Sequence, residues 1–279
     1  MQEIFLCSIS NVSSGDCSED CAYCTQSSHH QGKIKRYKYK KVEDVVLEAK
    51  HWRSFGALGF CLVTSGRGLD HKKCDYIASL ARAIKQEEPE LHLIACCGRA
   101  DKDSLTFLKE NGIDSYNHNL ETAQSFFPQI CSTHPWQERF ETCENVLEVG
   151  LSLCSGGIFG LGETYQERIE MLRALQSLTP ATTPINFFIP NPALPIKQDV
   201  LDAQEALECL VLAKEFLPKT RLMIAGGREV VFKDMQKEIF DCGVDAIVLG
   251  DYLTTKGDAP AKDLDMLKSY GLTIATTCH

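Results

Sequence analysis

Short apolar runs alternate with amphipathic stretches along the whole chain, and several of the amphipathic stretches stop at a glycine. That rhythm leaves few folds open, because strands that run parallel need a crossover of helical length between them. The apolar runs predict strands over Ile4–Ile9, Leu58–Val63, Leu91–Cys96, Ile113–Asn117, Leu151–Cys154, Ile185–Phe188, Arg221–Ile224 and Asp245–Leu249. Val42–Phe55 repeats apolar residues at Val42, Val45, Val46, Ala49 and Trp52, the spacing of one helix face. Tyr76–Ile84, Asp101–Asn111, Gln137–Val149, Tyr165–Leu175, Ala203–Phe216, Asp234–Cys242 and Asp263–Tyr270 predict helices in the same way. Gly56, Gly112, Gly150, Gly243 and Gly271 stand where a helix C-terminus favours a left-handed residue. About eight strand–helix units in about 250 residues are what a (β/α)8 TIM-type barrel needs. A doubly wound open sheet is the competing arrangement. No linker, solenoid repeat or low-complexity run interrupts the pattern, so residues 1–279 are expected to form a single domain.

In a barrel, chemistry gathers at the C-terminal ends of the strands. The unusual residues stand there. Cys17–Cys24 follows the first strand, Cys61 and Cys96 come late in the second and third, and Asn117-His118-Asn119 ends the fourth. Cys154 ends the fifth, Asn186 lies in the sixth, and Arg228 follows the seventh.

The run Cys17-Ser-Glu-Asp-Cys21-Ala-Tyr23-Cys24 is C-x3-C-x2-C within a loop spanning 14–30. Three thiolates so spaced can hold three irons of a four-iron cluster and leave the fourth open to a small molecule, unlike the usual four-cysteine site. A structural zinc site normally closes with four ligands in paired spacings. No second Cys or Cys/His pair follows at such a distance. The chain has 14 cysteines and opens Met-Gln-Glu-Ile-Phe-Leu-Cys, too short and acidic for a signal peptide. Metal ligation and reduced core thiols in the cytoplasm are therefore expected rather than disulfides. A net charge of −9, from 29 basic and 38 acidic residues, argues against nucleic acid or an anionic membrane as partner. No apolar run reaches the length of a membrane span.

From the cluster loop onward the chain resembles the radical S-adenosylmethionine (SAM) superfamily. Five further segments are similar to the biotin synthase family: Gly59–Gly68, Tyr116–Thr122 (YNHNLET), Cys154–Thr164 (CSGGIFGLGET), Pro184–Asn186 and Ala225–Glu229. The resemblance implies conversion of dethiobiotin to biotin. In that family a 4Fe-4S cluster cleaves SAM to a 5′-deoxyadenosyl radical. The radical abstracts hydrogen, and an auxiliary cluster, usually 2Fe-2S, donates sulfur. Such unactivated C–H bonds lie beyond ordinary acids and bases.

The resemblance also implies residue roles. Cys17, Cys21 and Cys24 match the ligands of the SAM-cleaving cluster, and Tyr23 matches an aromatic residue near adenine. Gly156, Gly157 and Ile158 match the adenine strand, Asn119 and Glu121 the ribose ligands, and Arg139 the partner of the SAM carboxylate. Without the family, Asn-x-Glu would read as a loop cap and Arg139 as a solvated helix charge. Asn186 and Asn119 match the amide contacts to the ureido ring of dethiobiotin, which needs donor and acceptor together. Thr254 and Thr255 are expected to help close the site.

For the auxiliary cluster the family uses three cysteines and an arginine. Cys61, Cys154 and Arg228 match. The remaining position is Ile94, with Cys96 and Cys97 just beyond it. Residues two apart on a strand share a face, so Cys96 is the expected substitute and Cys97 should point away. A cluster held differently, or of different iron count, follows. Cys7, Cys74, Cys131, Cys143, Cys209, Cys242 and Cys278 read mostly as small hydrophobes, adventitious metal at Cys278-His279 being the less favoured reading of that pair, and His118 as support for loops. The family further implies a flavodoxin- or ferredoxin-type electron donor and a homodimer. The chain starts almost at its first strand, so a helix that the family uses in dimer contacts is expected to be absent. Another barrel radical SAM enzyme, or a non-catalytic Fe–S protein, is the alternative. Lipoyl synthase carries an additional N-terminal cysteine cluster, whereas only Cys7 precedes this loop.

Overall fold

A computed structural model describes residues 2–253 and 257–278. Thr254, Thr255 and His279 lie outside the described residues. The strands are β1 (Glu3–Asn11), β2 (Gly59–Val63), β3 (His92–Cys96), β4 (Ser115–Asn117), β5 (Ser152–Cys154), β6 (Gly157–Phe159), β7 (Thr182–Phe187), β8 (Arg221–Ile224), β9 (Ala246–Leu249) and β10 (Thr273–Ile274). The helices are α1 (Val42–Ser54), α2 (His71–Glu87), α3 (Lys102–Glu110), α4 (Trp136–Glu148), α5 (Tyr165–Leu178), α6 (Ala203–Phe216), α7 (Arg228–Phe232), α8 (Glu238–Asp241) and α9 (Pro260–Ser269).

Parallel pairing runs β1-β2-β3-β4-β5-β7-β8-β9 and closes where β9 meets β1, Phe5 opposite Ala246 and Ser8 opposite Leu249. This is the expected eight-stranded barrel, not the open sheet. Strand alternation sorts its core into two layers. Ile4, Leu6, Phe60, Leu62, Leu93 and Ala95 face the helices, against residues such as Val45, Ile77 and Leu80. Phe5, Cys7, Cys61, Val63, Ile94, Cys154, Met223, Ala225, Ala246 and Val248 fill the lumen. At its N-terminal end Phe5, Leu58 and Ala246 are buried, the Arg221 guanidinium stacks 4.3 Å over the Phe5 ring, and Ala275 and Cys278 pack beneath.

Local signals set the helix ends. Asp70 and Asp101 accept from the backbone of Lys73 and Ser104, and Thr164 with Glu167 forms a capping box. The glycines expected after helices take positive φ at Gly56, Gly112, Gly150, Gly243 and Gly271. The fifth strand ends at Cys154 as expected; after a break at Ser155-Gly156 a further short strand that the pattern does not predict, β6, runs along β7. One expectation needs correction. The stretch 234–242 is not one helix. A turn at Gly227 (φ +92°) starts α7 earlier, Lys233 at φ +46° ends it, and a 3-10 turn over Lys233–Met235 and the short α8 (Glu238–Asp241) follow.

Candidate active site

The loop after β1 is closed on itself by its own backbone. Cys17 N donates to Gln26 O at 3.1 Å, Ser28 N to Cys17 O at 2.8 Å, and Cys24 N to Cys21 O at 3.0 Å. It is also tied to the segment before α4: Ala22 N donates to Ile130 O at 2.8 Å, and the Asp20 carboxylate accepts from the backbone of Ser132 and Thr133. The three thiols therefore converge by backbone constraint. Cys17, Cys21 and Cys24 line one cavity of about 190 Å³ with Tyr23, His118, Asn119, Glu121 and Arg139. Cys131, read as a small hydrophobe, is more than that. Its Sγ lies 3.7 Å from that of Cys21, held by Asp20, Thr133 and His134, although it does not line the cavity.

Opposite the loop, β4 runs on into residues 118–121, which hydrogen-bond to the broken fifth strand. Leu120 N and Glu121 N donate to Gly156 O, Ile158 N donates to Glu121 O at 2.8 Å, and Asn119 Oδ1 accepts from Gly156 N at 3.1 Å. Glu121 sits at φ +69°, an uncommon conformation for a non-glycine residue. That conformation comes with a buried carboxyl raised above its usual range, by burial first, against the lowering pull of Arg139 and the Tyr23 hydroxyl. Arg139 Nη1 donates to Asn119 O at 2.9 Å and approaches Glu121 at 3.4 Å. Its buried Nε finds no partner among the described residues. His118 is held well below its usual range by burial and then by Arg139, so it is neutral and supports the loop.

Beneath lies a second cavity of about 330 Å³, which shares Tyr23, Cys24, Asn119 and Glu121 with the first. Its walls bring Cys7, Cys61, Cys96 and Cys154 together with Ile158 and Asn186. As expected, Ile94 and Cys96 both face inward, while Cys97 is buried among the outward-facing residues. Burial raises the thiols: Cys7 and Cys154 to about 12, and Cys61 well above its ordinary value through a hydrogen bond with Cys96 as well as burial. Asn186 donates from Nδ2 to Gly157 O at 3.2 Å and accepts at Oδ1 from Gly226 N at 2.9 Å. An amide has two donor hydrogens and two acceptor lone pairs, so one of each is left for a ligand.

Three expectations change. Arg228 does not enter the lumen. The turn at Gly227 carries it outward, where it is 1% exposed and paired with Asp263 at 2.6 Å, Glu229 at 3.0 Å and Gln236. The arginine on the inward face is Arg221, in step with Met223 on β8 and Ala225 just beyond it; its charge lowers the pKa of Cys154 and Cys7. Gly156 and Gly157 are on the wall of neither of these two cavities. A Cβ on Gly156 would stand 1.9 Å from Pro184 O, and one on Gly157 2.3 Å from Met171 Sδ, so both are required for packing. Of that run only Ile158 reaches the ligand space. Cys7, finally, is a lumen residue rather than a core filler. Strand parity with Phe5 and Ile9 was the signal that could have shown it, and parity would also have chosen Arg221 over Arg228.

These residues fit the groups that the sequence implies. Three thiols of one short loop meet at one cavity, a donor set for three irons of a four-iron cluster, while Cys96 on β3 stands where this cavity joins the second. The orphaned Arg139 Nε beside that cavity suits a carboxylate. A second group of inward thiols suits iron again, since thiolates select iron–sulfur clusters.

Comparison with known proteins agrees. The radical SAM superfamily model matches residues 11–175, and that of the Biotin and Thiamin Synthesis associated domain matches residues 184–273. The chain is 71% identical over 282 residues to biotin synthase of Helicobacter pylori and 61% identical over 279 residues to biotin synthase of Wolinella succinogenes. In both cases all of each chain is covered. Among solved structures, methylornithine synthase superposes with a TM-score of 0.83 at 16% identity, over 98% of this chain and 84% of that one. The FeFe-hydrogenase maturase of Carboxydothermus hydrogenoformans gives 0.83 at 19%, over 97% and 67%. At such identities these two speak for the barrel fold alone.

Proposed function

The chain belongs to the biotin synthase family of the radical SAM superfamily, and from that premise we infer how its own residues divide the work. The activity is sulfur insertion into dethiobiotin. When bound, the four-iron cluster and SAM supply a 5′-deoxyadenosyl radical, and the auxiliary cluster supplies sulfur. Cys17, Cys21 and Cys24 hold the first cluster. Arg139 directs its free Nε at the SAM carboxylate, Asn119 and Glu121 accept from the ribose hydroxyls, Tyr23 braces Glu121, and Ile158 packs on adenine. Asn186, already fixed by two backbone partners, turns its remaining donor and acceptor to the ureido ring. Cys61, Cys96 and Cys154 hold the auxiliary cluster, with Arg221 rather than Arg228 as the nearby positive charge.

The observation that carries this division is the continuity of the two cavities. A three-thiol loop opens on one, a four-strand set of thiols lines the other, and Tyr23, Cys24, Asn119 and Glu121 border both. Groups held by the residues of the first cavity would thus lie next to a substrate held by Asn186 over the second. A flavodoxin- or ferredoxin-type donor, a homodimer, a single working barrel unit and a cytoplasmic setting belong to the same proposal, supported by the family. No helix among the described residues is long and apolar enough to cross a membrane.

The test is anaerobic turnover with reconstituted protein, SAM, reductant and dethiobiotin, followed by mass spectrometry. Biotin with about two 5′-deoxyadenosines per product is expected, one for each C–H bond broken. In the same assay Asn186→Leu should lose biotin while still releasing deoxyadenosine. Loss of both products together would remove Asn186 from the substrate site.

A further inference from the structure

We propose that Cys7 is a ligand of the auxiliary cluster, supplying from β1 the thiolate that is missing at Ile94. The inference rests on the reading above that a cluster occupies the lumen. Four inward cysteines share that cavity: Cys7 on β1, Cys61 on β2, Cys96 on β3 and Cys154 on β5. Their heights follow from register. Ile9 pairs with Cys61 and Cys61 with Ile94, while Asn11 pairs with Val63 and Val63 with Cys96. Extending the pairs of β3 with β4, Asn117 falls opposite Cys96, and Asn117 pairs with Cys154.

A barrel of eight strands and shear 8 gains about one residue of height per strand relative to that pairing. Ile94 therefore traces back to a point two residues past Cys7 and two strands round, which puts the two level. Cys154 traces to Asn11, four residues past Cys7 and four strands round, level again. Cys61 comes about one residue higher and Cys96 about two. Cys7, Cys61 and Cys154 thus form a near-planar triangle on the lumen wall, with Cys96 a step above. Ile94 lies in the same plane with a side chain that binds nothing.

The surroundings agree with a ligand rather than a spacer. Among the described residues, the hydrogen-bond contact of Cys7 Sγ is a long one of 3.7 Å, to the carbonyl of the next residue. Cys154 is close enough to act electrostatically on Cys7, and Arg221 lies within electrostatic reach of both. Each thiol releases its proton when its sulfur binds iron, and the bound irons with the Arg221 cation offset the negative charge so formed. On this assignment Arg221 is a counter-charge, not a necessary ligand.

The experiment uses the full chain with Cys17, Cys21 and Cys24 all replaced by Ala, so that any cluster iron is auxiliary. Iron and sulfide per chain, Mössbauer spectra and iron-edge sulfur scattering are compared in this background with Cys7→Ala, Cys7→Ser and Cys97→Ala added. Loss of most auxiliary iron in Cys7→Ala, with loss or a shifted spectrum in Cys7→Ser and no change in Cys97→Ala, is expected. Should Cys7→Ala fail to fold, the one-atom change to Ser carries the test. Unchanged iron and spectra in a folded Cys7→Ser would overturn the proposal and leave the lumen cluster standing. A background that binds no iron at all would overturn both.

Discussion

The cluster loop and the barrel lumen both gather cysteines, by opposite means. In the loop, Cys17, Cys21 and Cys24 are neighbours in sequence and are drawn together by hydrogen bonds within a few residues. In the lumen, Cys7, Cys61, Cys96 and Cys154 come from four strands and meet only because the sheet closes. A local site tolerates change elsewhere as long as its own backbone bonds hold. A distributed site depends on the register of every strand between its members, and it can shift a ligand from one strand to another while keeping its centre. The difference lets the lumen gather its thiols on other strands although residue 94 is Ile.

That contrast can be broken at several points. The largest effect is expected at the loop. Cys17→Ala should abolish deoxyadenosine formation and the visible absorbance of the first cluster, while the iron bound in the lumen persists. If lumen iron falls with it, the two sites are not independent. Next comes Arg228→Met. Removing one member of a buried ion pair leaves Asp263 uncompensated and costs about 3–5 kcal/mol. The change should appear as a large drop in thermal midpoint, with auxiliary iron per folded chain unchanged. Loss of iron from the folded protein would return Arg228 to the site. A smaller effect is expected from Arg139→Gln: a hydrogen bond to a charged group contributes about 1.5–3 kcal/mol, so SAM should bind roughly ten to a hundred times more weakly by equilibrium dialysis. An unaltered affinity would mean that the free Nε faces no carboxylate. The smallest is Cys97→Ala. Its thiol faces the helices, with a long 3.9 Å contact to Leu62 O, so the melting point should move slightly and the iron not at all. Cys96→Ala, by contrast, should change the auxiliary spectrum.

The same contrast sets how far the sequence could be read. The alternation of apolar runs was enough for the barrel, since β8 and α6 have the bounds that periodicity predicts and the helix-end glycines stand where expected. The loop was legible because its ligands are contiguous. Strand parity was enough to separate Cys96 from Cys97. It was not applied to Cys7 or to the two arginines of Arg221–Arg228, where the chain leaves the strand at Ile224 and turns at Gly227. The strand β6 escaped because two glycines in a short run look like a turn. Their function becomes visible only against Pro184 and Met171, which lie on other elements. Cys131 beside Cys21 was hidden for the same reason, since 110 residues separate the pair in sequence.

The filled floor of the barrel has one more effect. Phe5, Leu58, Ala246 and the stacked Arg221 close the N-terminal end, so the lumen communicates with the outside past the cluster loop. Lys33 and Ile34 beyond the cluster loop and Ile189, Pro190 and Asn191 after β7 line the same cavity, so a small molecule lodged between the lower thiols and Asn186 has this rim as its doorway, and the floor offers it no back exit.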